Sequence, residues 1–398
     1  MSQTGTNSLP ALSQLARAFG RSTLAAFALT SLGAVACTGY VEFDEQALLD
    51  RQLESRLPES LRGLVVPPYQ VSEGVVEEAS VRVRPNLRER DRVDAILDYI
   101  FGTVGLEYEL TPTRSADRAA LEGKGNCMSF VNLFVGLGRE NRLNPFYVEV
   151  KDYQRWNYQD GVVVSRGHIV AGLYVDGNLR TYDFLPYAPK SYKDFKPIED
   201  LTAMAHHYNN LGAEALMENR LAEATRNLEL ARLLDRDFDK AINNFGVALL
   251  RNGRAAEAVE LYRDGLDRHP VNVPIMTNLA RAYQQTGETQ KANELFDQLE
   301  KINRTNPFFY VYRGDLALAN GDTKTALQYM KRAYQTDAEL PEVHVGLAKV
   351  YLALGSFSEA RHHVGRALRL DATHTEARKY ASLLDRRAPK ATSAPEGR

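Results

Sequence analysis

The chain has 398 residues, too many for one small core, and two folded units with tails are expected. Its 44% hydrophobic and 25% charged residues are those of an ordinary globular protein, and a formal net charge of −2 offers nucleic acid no basic surface. Two cysteines exclude a disulfide scaffold.

The first 37 residues read as an export segment. Arg17 and Arg21 flank a mostly apolar run, Ser22 to Val35. That run is shorter than the roughly 20 residues a bilayer-spanning helix needs. It ends in Ala34-Val35-Ala36-Cys37, which resembles a bacterial lipobox, with Ala34 where leucine is usual. The resemblance implies acylation of Cys37, and Thr38 after it implies an outer-membrane lipoprotein facing the periplasm. Ala-Val-Ala also suits an ordinary signal peptidase, which would leave a soluble periplasmic protein. Residues 38–79 are expected to form a tether carrying one helix, Glu42 to Arg56.

The next unit spans about residues 80–204. Val93, Ile96, Leu97 and Ile100 have helical spacing, as do Phe130, Leu133, Phe134 and Leu137. Cys127 heads the second of these helices in Gly123-Lys124-Gly125-Asn126-Cys127. It lies on the apolar stripe, and a buried, inert cysteine is one reading of it. The other is a reactive thiol. Asn126 is a good N-cap, so Cys127 falls in the first turn, where unpaired N–H groups stabilise a thiolate. The two glycines would let the chain approach a ligand closely.

Strands are expected at Phe146 to Val150, Gly161 to Val164 and His168 to Val175, the last turning through Asp176-Gly177 into Leu179 to Asp183. A two-residue turn sets Val175 opposite Asn178 and brings His168 diagonal to Asp183, within reach of an imidazole and a carboxylate. Tyr153 to Tyr158, with the only tryptophan, reads as a loop near His168, either a substrate rim or a packed connection. Singly, His168 also reads as a core histidine and Asp183 as a turn residue.

A cysteine at a helix start, then a histidine and an aspartate on neighbouring strands, resembles the transglutaminase-like branch of the papain-type cysteine enzymes. The helix ending Gly138-Arg139-Glu140-Asn141 before Asn144-Pro145 and a strand adds to it. The resemblance implies an α+β domain with Cys127 as nucleophile, His168 as base and Asp183 as its orienter. Val170 departs from the aromatic residue usual two places after the histidine.

From Ala205 the sequence repeats every 34 residues, with further starts at Asp239, Val273, Pro307 and Pro341. The eighth position holds Gly212, Gly246, Ala280, Gly314 and Ala348; the twentieth is always alanine. Large residues recur at the twenty-fourth: Leu228, Tyr262, Phe296, Met330 and Val364. Small residues allow two helices to approach and the large ones fill the space beside them. This resembles five tetratricopeptide repeats over 205–374, an all-α solenoid, with a capping helix at 375–386 and a disordered Pro/Ser/Lys-rich tail at 387–398. Asn210, Asn244 and Asn278 share the sixth position, as a ladder for an extended protein or peptide partner on the concave face or as helix spacers. His206-His207 and His362-His363 point about 100° apart within each pair and are expected to be surface residues holding no metal.

Two functions follow. One is an exported lipoprotein with a cysteine-dependent acyl-transfer or amide-hydrolysing domain, its repeats recruiting a protein or peptide. The other is a non-catalytic periplasmic scaffold binding partners through the repeats. Neither calls for a cofactor, a metal or nucleic acid.

Overall fold

The computed structural model describes residues 45–159, 162–185, 192–302 and 307–386, with the backbone only of 45–46, 151–159 and 162–167. Cys37, the export segment and the tail from residue 387 lie outside the described residues. The described residues from Leu49 onward form one compact unit.

The described part of the expected tether, from Glu45 on, is instead packed structure. Helix α1 (Glu45–Arg56) carries Leu49 and Leu53 four residues apart, with Leu57 following. This stripe is buried against Leu201, Met204, Tyr208, Leu230 and Leu234 of the first repeat. Burying a leucine contributes about 1.5–3 kcal/mol, which favours docking over a free tether. Short helices α2 (Glu59–Arg62) and α3 (Glu73–Ser80) follow.

Helix α4 (Glu89–Asp98) runs into a wide turn, Tyr99–Thr103. Strand β1 (Glu107–Tyr108) pairs in parallel with β2 (Lys124–Gly125) across helix α5 (Ala116–Glu122). Helix α6 (Cys127–Glu140) is buried along most of its length and packs on the sheet. That sheet has the order β5-β4-β3-β6, with β3 (Phe146–Gln159), β4 (Val162–Val175), β5 (Asn178–Tyr182) and β6 (Phe195–Ile198), every neighbour antiparallel. Asp176 and Gly177 both have positive φ, 51° and 76°, and set Val175 opposite Asn178.

Tyr153 to Tyr158 is not a loop. It belongs to β3, and Val162 to Val164 is not a separate strand, because β4 runs unbroken from Val162 to Val175; Gly161 lies outside the described residues. Backbone pairing of Arg155–Gln159 with Val162–Arg166, after an irregularity past Val150, extends the hairpin despite its polar sequence.

The array begins five residues earlier than the repeat phase, with α7 (Asp200–Met217) and α8 (Leu221–Leu234). Four helix pairs follow: α9 (Asp239–Arg251) with α10 (Ala255–Arg268), α11 (Val273–Gln285) with α12 (Thr289–Ile302), α13 (Pro307–Ala319) with α14 (Thr323–Thr336), and α15 (Pro341–Ala353) with α16 (Phe357–Leu370). Helix α17 (Thr375–Arg386) packs on the last pair. The repeat signature has a direct packing cause. The five alanines at the twentieth position are fully buried, and a Cβ on Gly246 would run into the Tyr262 ring. Tyr262 passes under that glycine to donate to the Asn243 carbonyl at 3.1 Å.

Candidate functional site

The start of α6 is held by a buried polar network. Asn126 caps the helix, its Oδ1 accepting from Ser129 N–H at 3.1 Å. The glycines before it serve packing and chain direction. Gly123 ends α5 in the left-handed region, φ 64°, and a Cβ on Gly125 would sit 2.6 Å from Ser129 Cβ. Cys127 is half-buried at this helix start and is a free thiol.

His168, on β4, is 2% exposed. Its Nε2 lies 3.0 Å from Asp183 Oδ2, just past the end of β5, and 3.1 Å from the hydroxyl of Tyr192. Tyr192 also donates to Asp183 Oδ2, and Asp183 Oδ1 accepts the Leu185 N–H at 3.0 Å. The Cys127 thiol acts on the same imidazole and raises its pKa through hydrogen bonding and charge.

Burial pulls the His168 imidazole toward its neutral form. Hydrogen bonds and charge from Asp183 and Cys127 outweigh that, and its pKa rises to about 9. Burial also pushes the Asp183 carboxyl up, but bonds from His168, Tyr192 and the Leu185 N–H hold it below the usual range. Cys127, His168 and Asp183 therefore meet at one place. Tyr192 joins them from 24 residues beyond His168, with no local pattern to announce it.

The asparagines form a different ladder from the one expected. Asn244 Nδ2 donates to Asn209 Oδ1 at 2.9 Å, Asn243 Nδ2 to Asn244 Oδ1 at 3.1 Å, and Asn278 Nδ2 to Asn243 Oδ1 at 2.8 Å. Asn209 takes the place read for Asn210, and Asn244 and Asn278 are fully buried. The first helices of repeats 2 and 3, α9 and α11, pack on β4. The chain's own sheet therefore covers this part of the array.

The same docking corrects the histidines. His206 and His207 are buried instead of exposed, and burial drives their pKa values down to about 3 and about 4. His206 lies against Phe238, and His207 Nδ1 is 3.4 Å from Asn132 Nδ2. His363 faces the buried His344 of the preceding helix, Nδ1 to Nδ1 at 2.9 Å. Among the described residues no three histidine, cysteine or acidic side chains are placed to hold a metal ion.

The tetratricopeptide-repeat family model matches residues 249–307 and 317–384. The second half of the chain is a tetratricopeptide-repeat array. The chain is 24% identical over 161 residues to the BBSome complex member BBS4 of Bos taurus, covering 40% of this chain and 31% of that protein. It is 33% identical over 112 residues to the photosystem I assembly protein Ycf3 of Cyanophora paradoxa, covering 26% of this chain and 65% of that one. It thus spans less than two thirds of either relative. Similar solved structures include TTC0263, a thermophilic tetratricopeptide protein of Thermus thermophilus, with TM-score 0.41 and 22% identity over 45% of this chain and 98% of that one. Another is YrrB, described as having an unusual peptide-binding site, with TM-score 0.29 and 16% identity over 45% of this chain and 92% of that one.

Proposed function

We propose that this is a partner-binding protein whose tetratricopeptide array recruits another protein. The supporting observation is the array itself, five helix pairs with the family model matched across residues 249–307 and 317–384. In this reading the partner binds the first helices of repeats 4 and 5, a choice supported by the packing of β4 on α9 and α11. Lys349 there lies 3.3 Å from Asp315 and 2.8 Å from Glu376, an ion ladder linking repeats 4 and 5 to α17. Photo-crosslinking groups at Phe308, Asp315 and Lys349 should trap one common protein in cell extracts, while groups at Lys331 and Gln335 on α14 should not. Equal trapping from both sets would refute this placement.

One observation favours a second role beside recruitment, the convergence of Cys127, His168 and Asp183. In this reading the front unit is a transglutaminase-like acyl-transfer site. The Cys127 thiolate adds to an amide or ester carbonyl, and imidazolium His168 gives its proton to the leaving amine or alcohol as the C–N or C–O bond breaks. Water or an amine then attacks the thioester, gives a proton to His168 and releases the sulfur. Asp183 and Tyr192 hold the ring and offset its charge. Iodoacetamide labelling of Cys127 near neutral pH should slow on His168→Ala, whereas an unchanged rate would leave the scaffold role alone.

Export and lipid anchoring at Cys37, with outer-membrane residence facing the periplasm, belong to the same proposal and rest on the sequence of residues 17–38. Incorporation of labelled palmitate, abolished by Cys37→Ser, is the expected result; no incorporation would leave secretion or another location.

A further inference from the structure

Helix α7 carries three polar side chains spaced one heptad apart, Asp200, His207 and Glu214, and each reaches the cysteine helix or the loop that caps it. Asp200 takes two hydrogen bonds from Arg139 near the C-terminal end of α6, at 2.7 and 2.8 Å. His207 meets Asn132 in the middle of α6, where Tyr147 donates to Asn132 Oδ1 at 3.0 Å and so fixes the amide's sense. Glu214 reaches the beginning. Both its carboxylate oxygens accept the Thr113 N–H at 3.0 Å, and Oε1 accepts the Thr113 hydroxyl at 2.7 Å. The first helix of the array therefore lies antiparallel along the helix that carries Cys127.

The Glu214 contact differs from the other two because its hydrogen-bond directions propagate. The single Thr113 hydroxyl proton is given to Glu214 Oε1 at 2.7 Å. The hydroxyl oxygen must then accept, which it does from Asn126 Nδ2 at 2.7 Å. With the nitrogen end of the Asn126 amide so engaged, its oxygen is turned to Ser129 N–H and Ser129 Oγ, both at 3.1 Å. Ser129 Oγ in turn accepts the Arg114 N–H at 2.8 Å. Glu214, Thr113, Asn126 and Ser129 are all buried, so the network has little water to reorganise through. A reversed Asn126 amide would present a donor to the Ser129 N–H and undo the cap next to the sulfur.

We propose that Glu214 is a positioning residue for Cys127, acting through Thr113 and Asn126 to fix the first turn of the cysteine helix. This makes the first repeat a structural part of the thiol site, and it rests on the acyl-transfer reading above.

Thr113→Ala isolates the relay, since it deletes the hydroxyl but keeps the backbone N–H that Glu214 binds. In the full chain, the iodoacetamide rate at Cys127, followed by peptide mass spectrometry, should fall on the order of tenfold near pH 6. Near pH 10, where thiols ionise without help, it should change by less than about twofold. Thr113→Ser should restore the wild-type profile, and Glu214→Ala, which removes both acceptors, should behave like Thr113→Ala. A change in stability alone would lower the melting temperature without altering the ratio of the two rates. A wild-type ratio in both Thr113→Ala and Glu214→Ala overturns the positioning role. If His168→Ala lowers the ratio in the same experiment and Thr113→Ala does not, only the positioning role is lost. If His168→Ala also leaves it unchanged, the acyl-transfer reading falls with it.

Discussion

Asp183, Tyr192 and Cys127 all act on His168, and this environment sets how the front unit responds to pH. The folded protein holds the imidazolium proton to about pH 9, against 6.5 for a free side chain. The resulting stabilisation is present in full below about pH 6.5 and is lost as pH rises through about 9, on the order of 3 kcal/mol. Asp183 is shifted down, so its contribution has the opposite sense, present above the usual carboxylate range and lost as pH falls through its lowered value. The melting temperature of the wild type should exceed that of His168→Gln most near pH 6, with the gap closing by pH 10. A gap independent of pH would show that the proton is not held by this site. Tyr192→Phe removes a hydroxyl bonded to both His168 and Asp183, and a bond to a charged group is worth about 1.5–3 kcal/mol. The denaturation midpoint should drop accordingly, and Cys127 labelling should slow. The His168–Asp183 pairing is legible in the sequence because Asp176-Gly177 is a local device that sets a register. Tyr192 and Thr113 are not legible, because nothing near them in the chain records which distant group they meet.

At the scale of elements, the repeats are the most legible part of the chain. Small and large residues recur in phase because each helix pair solves the same packing problem. Gly246 and Tyr262 show its tolerance. Gly246→Ala puts a methyl into the ring of a fully buried tyrosine and should cost about 1–3 kcal/mol, measured by urea denaturation. Gly253→Ala is the contrast. No atom lies within 4 Å of its Cβ position, but φ is 74°, so any loss there comes from backbone strain. The β3–β4 hairpin is harder to read. Gln154, Arg155 and Asn157 leave Tyr153 to Tyr158 without a clean apolar face, and pairing with β4 makes the segment a strand. The asparagine ladder is legible in kind but not in membership, since the step from Asn210 to Asn209 depends on how far α7 extends toward its N-terminus.

On the scale of the whole molecule, front unit and array share buried polar contacts that sequence reading by domains does not foresee. A boundary at residue 205 cuts α7 itself, and the burial of His206, His207 and Lys240 follows from docking. Lys240 on α9 pairs with Glu149 on β3 at 2.6 Å. Lys240→Met removes that partner from a carboxylate 18% exposed and should cost up to about 3–5 kcal/mol, with Glu149→Gln in the same chain recovering much of it. Additive losses in the double variant, by thermal denaturation, would show that the pair is not coupled. For the same reason a chain ending before residue 205 should not retain the thiol site, because Asp200 to Glu214 lies along α6. The most direct test of the proposed acyl-transfer role is acylation of the full chain by p-nitrophenyl acetate. A burst of p-nitrophenol with an acetyl adduct mapped to Cys127, both lost in His168→Ala, is the expected result. No adduct at Cys127, or acylation at the same rate without His168, would contradict a thiol site assembled from Cys127, His168 and Asp183.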